Sequence, residues 1–371
     1  MVNRRNDIFE SMGINRIWVV ALFVFLSIEI CCLAGTVWQW SRTEYIQSTL
    51  VVIEDVHKPT KVNNSILTTS PIRPTTTPIF SPTVGTPETT LTESATPSAI
   101  RPTFDVPPPG KIVFTCFDGS FDQICIMNAD GSDRRQLTFD NATNFYPSLS
   151  PSGEQIVYSS NREGNFEIYI MNVDGRELVQ LTDDIGNLYA PEISPKGNRI
   201  IFTAETGGLQ SIWVMKINGD NARQFVESSG NDIDPSWSPD ASQIVFASKR
   251  TGNVGLYVAN ADGSNPRGLT PVSISTGGRS SWSPRGFWIA YYTGPDGDRD
   301  IYTIGTDGKN ITRLTYGGDN LSPSYSPDGE WLTFTSFRDG NNEIYVMRTD
   351  GSQVHRLTVN PLADWQPRWG P

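Results

Sequence analysis

The chain has 371 residues, a formal net charge of −11, 32 glycines, 26 prolines and two histidines. The length allows two ordinary domains, and the turn-forming residues suit an all-β protein. A long acidic surface repels phosphate backbones, which argues against nucleic acid as a partner.

Residues 1–16 are polar and end on basic groups, with Arg4, Arg5 and Arg16 just before an apolar run. That run, Ile17 to Val37, is long enough to span a hydrocarbon core as a helix. Trp18 at one end, and Trp38 and Trp40 at the other, would sit at the two interfaces. Basic residues precede the run, so the expected topology is single-pass: residues 1–16 cytoplasmic, 17–37 a signal anchor, and the remainder extracytoplasmic. A cleaved signal peptide, with Cys32 and Ala34 as small residues before the cut, is the other reading. Glu29 inside the run is close enough to the outer boundary to reach water, or marks a helix–helix contact.

Residues 38–110 form an expected extracytoplasmic stalk. From Pro59 onwards the sequence is rich in Thr, Pro and Ser, too poor in apolar residues to fold and too rich in proline to collapse. Extended at about 3 Å per residue, it would hold a domain up to about 150 Å from the bilayer. Its dense Thr and Ser are also candidates for O-glycosylation.

From Lys111 to Pro371 the chain repeats itself. Apolar triplets begin at Ile112, Ile156, Ile200, Ile244, Ile289 and Leu332, and subtracting neighbours gives 44, 44, 44, 45 and 43 residues. Each unit reads as four short strands. In the last one, Tyr325, Leu332–Thr335, Ile344–Met347 and Arg356–Thr358 are separated by turn signals. Ser326-Pro327-Asp328-Gly329 has the chemistry of a type I turn, and Thr349-Asp350-Gly351 repeats the logic between the third and fourth strands. Four strands per unit of this length indicate a β-propeller. First-strand motifs at Leu149, Ile193, Trp237, Trp282, Tyr325 and Trp369 give six blades. The first unit lacks its first strand, and the C-terminal Asp364–Pro371 supplies just that strand. The expected fold is therefore all-β: a six-bladed propeller of four-stranded blades, closed by the C-terminal strand.

Segments such as SWSPDASQIVFASKR (Ser236–Arg250), SYSPDGEWLTFTSFRDG (Ser324–Gly340) and IYVMRTDGSQVHRLT (Ile344–Thr358) resemble the TolB-type, Trp-Asp-repeat-like propeller repeats, which are akin to the propellers of the dipeptidyl-peptidase IV type. The resemblance implies a six-bladed propeller of the bacterial envelope that binds proteins, including the peptidoglycan-associated lipoprotein. This chain carries an anchor and stalk where TolB has a small α/β domain. The peptidase relatives continue into an α/β-hydrolase domain that is not seen here, so their activity is not carried over.

Chemistry-bearing constellations are sparse. Neither His57 nor His355, on a predicted outermost strand, falls in a catalytic motif, and no Gly-x-Ser-x-Gly elbow, Walker loop or dinucleotide fingerprint occurs. The expectation is a non-enzyme without a cofactor. Binding is expected on the loops before each first strand, which differ between blades and circle the channel mouth: Asn144, Tyr146, Asn187, Tyr189, Asp232, Asp234, Arg279, Asn320, Asp364 and Trp365. Arg279 stands out because Gly277-Gly278-Arg279-Ser280 lacks the proline that the other five blades carry there. The opposite face, with Asp130, Asp262 and Asp350, is expected to consist of tight turns. Arg162, Arg250 and Arg338 recur after the second strand and read better as structural partners than as an anion-binding ring. Trp237, Trp282, Tyr325 and Trp369 read as inter-blade packing. Asp296, Asp298 and Asp300 alternate as in calcium loops, but Ile301 and Asp307 stand where the EF-hand pattern needs Gly and Glu. Cys116 and Cys125 flank one hairpin, either as a disulfide favoured by export or as two buried thiols.

The expected function is a membrane-anchored, extracytoplasmic scaffold that binds protein in the envelope or extracellular space. Two alternatives stand beside it: a carbohydrate-binding envelope protein with exposed aromatics flanking a groove, and a lyase or glycosidase with carboxylates gathered at the propeller axis.

Overall fold

The computed structural model describes residues 102–227, 230–271 and 275–371. The expected membrane span, its flanks and most of the stalk lie outside these residues.

Six four-stranded antiparallel sheets make up the described chain. Blade 1 has the order β24 (Asp364–Gly370), β1 (Lys111–Phe117), β2 (Asp122–Asn128) and β3 (Arg135–Gln136). The C-terminal strand is thus the innermost strand of the first blade, with Lys111 opposite Gly370 and Cys116 opposite Asp364. The other innermost strands are β4 (Asn144–Leu149), β8 (Asn187–Ile193), β12 (Asp232–Trp237), β16 (Ser281–Trp282) and β20 (Asn320–Tyr325). β16 is short because the Gly277-Gly278 pair that precedes it lacks the side chains that favour a strand.

The second and third strands are apolar runs rather than alternating patterns, because blades pack against both of their faces. All five central residues of β1, Ile112 to Cys116, are buried. Val113 and Ile124 of blade 1 pack with Tyr158 and Met171 of blade 2. The closing seam is built the same way, with Ile112, Phe114 and Trp369 of blade 1 against Trp331 and Ile344 of blade 6. Trp237, Trp282 and Tyr325 belong to the equivalent inter-blade cores.

The turns follow the expected chemistry. Gly329 donates its N–H to the Ser326 carbonyl at 2.9 Å with φ +70°, and the Ser326 hydroxyl accepts the Trp331 N–H at 2.9 Å. Gly351 has φ +85°, and a Cβ there would lie 2.8 Å from the Leu314 carbonyl oxygen of the neighbouring blade, so only glycine fits. Antiparallel order places these turns on one face, and the loops between second and third strands, with those entering each first strand, on the other. We call these the turn face and the loop face.

Of the two readings of Cys116 and Cys125, the structure has the bonded one, with Cα atoms 5.8 Å apart. The last residues of the expected stalk pack on the propeller, moving that boundary N-terminal of Lys111. Pro108 is buried, and the Phe104 ring lies 4.8 Å from His355 and 5.6 Å from Trp331. The Trp369 indole donates to the Pro109 carbonyl at 2.8 Å.

Candidate functional site

Five of the expected surface residues are interior, Arg279 among them. Asn144, Asp232, Asn320 and Asp364 have no exposed surface, because they begin their strands beneath the loops rather than in them. Each receives an arginine. Arg162 donates to Asn144 at 3.1 Å, Arg250 to Asp232 at 2.9 Å, Arg338 to Asn320 at 2.9 Å and Arg134 to Asp364 at 2.8 Å. The first three also donate through Nε to Ser160, Ser248 and Ser336, and stack on Tyr169, Tyr257 and Tyr345 at 4.5, 4.9 and 4.7 Å. Their recurrence is a repeated structural clasp. The Asn/Asp variation that looked like a tailored surface reflects two acceptors doing one job.

Two residues further along each strand the chain turns left-handed: Tyr146, Ala190, Asp234, Arg279, Ser322 and Gln366 have φ between +50° and +57°. One such residue per blade circles the axis, beside the register shift in the innermost strand. Tyr146, Asp234 and Arg279 therefore do meet at the axis, but Arg279 is buried there. Its guanidinium lies 5.0 Å from the Tyr146 ring and donates to the Pro147 carbonyl at 3.3 Å, spanning from blade 5 to blade 2. Burial, reinforced by the like charge of Arg368, lowers its pKa to about 9. Burial raises the Asp234 carboxyl, although Arg279 and Arg368 pull it back. Burial and the Asp234 charge also push the Tyr146 phenol up, and the Tyr292 phenol to about 12.

Between these two positions lies a third: Phe145, Tyr189, Ile233, Leu321 and Trp365, with Gly278 in the fifth blade. The five side chains are half-buried and ring the loop-face mouth. Phe145 packs edge-on to Phe166 at 4.7 Å, Tyr189 lies 5.5 Å from Phe166, and the Trp365 indole donates to Asp122 at 3.3 Å. Burial and Glu205 push the Tyr189 phenol to about 12. Gly278 keeps its place because a Cβ there would fall 1.6 Å from Asp234 Oδ2. Beyond the ring, Tyr316, Phe337, Val359, Leu362 and Phe139 are exposed on loop-face loops from blade 5 round to blade 2. Asn187 supports the adjacent loop, accepting the Phe166 N–H at 3.1 Å.

The three alternating carboxylates do not converge. Asp300 is buried and accepts from Thr315 at 2.7 Å and from Arg313, whereas Asp296 and Asp298 are exposed. Among the described residues no group of acids, histidines and cysteines could hold a metal ion. At the turn-face end of the axis lies a cavity of about 310 Å³ that the sequence reading missed.

The TolB beta propeller domain family matches residues 180–294 and 275–371, together more than half of the chain. The chain belongs to that family. No curated protein sequence matches it significantly. Among solved structures, TolB from Acinetobacter baumannii superposes with a TM-score of 0.65 at 23% identity, over 72% of this chain and 68% of that one. Kuenenia stuttgartiensis hydrazine synthase gives 0.61 at 19%, over 71% of this chain and 46% of the other. A chain of a nidogen/laminin complex gives 0.60 at 11%, over 71% and 99%. In this TolB-type propeller the residues overlooked in sequence, Gln366, Ser322, Glu192 and Arg368, could have been found by aligning the five blades that carry a first-strand proline on that residue. They occupy fixed offsets from it.

Proposed function

We propose that the chain is a membrane-tethered, extracytoplasmic propeller that binds a protein partner of the cell envelope or extracellular space through its loop face, without catalysing a reaction. The apolar ring of Phe145, Tyr189, Ile233, Leu321 and Trp365 carries this reading. Half-buried aromatic and aliphatic anchors, flanked by exposed Tyr316, Phe337 and Phe139, match the anatomy of a protein-binding hot spot. The path of the chain supports it: residues 104–110 reach β1 at the turn-face end, which leaves the loop face clear of the attachment. The Cys116–Cys125 bond supports an oxidising, exported setting. TolB family membership supports the choice of a protein as partner.

The test is co-purification of full-length tagged protein from its own cells. Single Tyr316→Ala, Phe337→Ala and Trp365→Ala changes should each weaken retention of a defined partner about tenfold, at about 1–2 kcal/mol per anchor. Alanine at Asp130, Asp262 and Asp350 on the turn face should leave retention intact. The reverse pattern would move the binding face to the other side.

A further inference from the structure

The turn-face cavity is lined by the innermost strands of all six blades, and one residue of each strand faces the same level of the axis: Ser148, Glu192, Ser236, Ser281, Ser324 and Arg368. Four are serine; two of these have a visible task, and Ser236 donates its hydroxyl to Glu192 Oε1 at 3.1 Å. Ser281 Oγ accepts the Tyr325 N–H of the next blade at 3.1 Å, and Ser324 Oγ accepts that of Trp369 at 3.0 Å. Glu192 does the same work with one carboxylate oxygen, Oε1 accepting the Trp237 N–H at 2.8 Å. Its second oxygen and the whole of Arg368 are surplus to that task. Oε2 faces Arg368 Nη2 at 3.5 Å, longer than the roughly 2.7–2.9 Å of a tight charge-assisted bond. The remaining donation from Arg368 goes to the single Ser280 carbonyl, at 3.2 and 3.1 Å.

A serine in both places would avoid the desolvation cost of two charges, whose side chains are only 9% and 17% exposed. We propose that the pair is a recognition element and that the cavity binds a small zwitterion, an α-amino acid or a molecule of that size with one carboxylate and one ammonium group. The carboxylate accepts from Arg368 and the ammonium donates to Glu192, so each resident charge exchanges a loose partner for a matched one. The mostly buried position lowers the effective dielectric and strengthens both contacts. Pro151, Pro195, Pro239, Pro284 and Pro327 stiffen the rim and give it apolar surface for a side chain. At about 310 Å³ the cavity lies at the small end of the roughly 300–1,000 Å³ typical of ligand sites, which suits an amino acid and excludes a folded partner. Arg279, spanning the axis towards the loop face, makes the turn face the entrance.

Calorimetric titration of the full-length chain with each free L-amino acid, its amide and its N-acetyl derivative tests this. At least one amino acid should bind saturably at one site per chain, with its amide and its N-acetyl form each weaker by about tenfold or more. Arg368→Gln should erase the preference for the free acid over the amide. Glu192→Gln should erase the preference for the free amine over the N-acetyl form. If a variant fails to fold, the derivative series on the unaltered chain still decides. Saturable binding by no amino acid, or equal binding of the parent and both derivatives, overturns the proposal. So does an unchanged preference in both folded variants. The loop-face reading stands or falls separately, because none of these changes touches that face.

Discussion

Arg250 reaches a carboxylate, Asp232, that has no exposed surface, whereas the matching Arg338 reaches a neutral amide, Asn320. The two clasps look alike and differ in what truncation leaves behind. Arg250→Ala strands a buried charge and should cost about 3 kcal/mol or more. Arg338→Ala strands an amide oxygen and should cost about 1–2 kcal/mol. Urea denaturation of the two variants checks the order, and added phosphate should stabilise neither the parent nor the variants, as an anion-binding ring would require. Asp364 offers a second test at this scale. Burial, only partly offset by Arg134, raises its pKa from 3.8 to about 6. The folded state therefore holds the proton more tightly than the unfolded one. The resulting stability is fully present below about pH 4 and is lost as pH rises through about 6. The shift corresponds to about 3 kcal/mol at most. Asp364→Asn removes the titration, so the stability of the parent relative to this variant should fall between pH 4 and pH 7. A constant difference would show that the carboxyl titrates normally.

The strand is the next scale, and β24 is the decisive one. It completes blade 1 and sets Trp369 into the seam with blade 6, so removing residues 359–371 exposes the β1 edge and the core around Ile112 and Trp331. The truncated chain should aggregate or melt far below the parent; equal melting would show that the ring closes without this strand. The hairpin of β1 and β2 carries the bond between Cys116 and Cys125, which closes a separation of 9 residues and should contribute about 2–3 kcal/mol. Peptide mapping without reduction should recover the two cysteines in one linked species. At this scale the sequence was informative, because the 44-residue recurrence of apolar triplets and Asp-Gly turns reports backbone features that every blade needs. It was less informative about the channel-mouth residues. A first-strand Asn or Asp is exposed or buried according to whether an arginine 18 positions later folds back on it, and that is a tertiary fact. The left-handed residue at the bulge further changes which side chains reach the axis. Arg279 reaches across the axis and is buried, where the sequence reading puts it on an exposed loop.

For the whole molecule, the two faces have different chemistry. The turn face is made of short hairpins around a narrow polar-floored cavity, and the loop face is made of variable loops around an apolar ring. If the loop face meets a protein partner, photo-crosslinking in living cells from one position at a time is the most direct measurement of it. A photoreactive residue at Phe139, Tyr316, Phe337 or Val359 should give the same partner adduct, because these exposed positions lie on the same face, from blade 5 round to blade 2. The same residue at Asp130, Asp262 or Asp350 should give none. A partner adduct from the turn-face positions, with none from the loop face, would contradict the account.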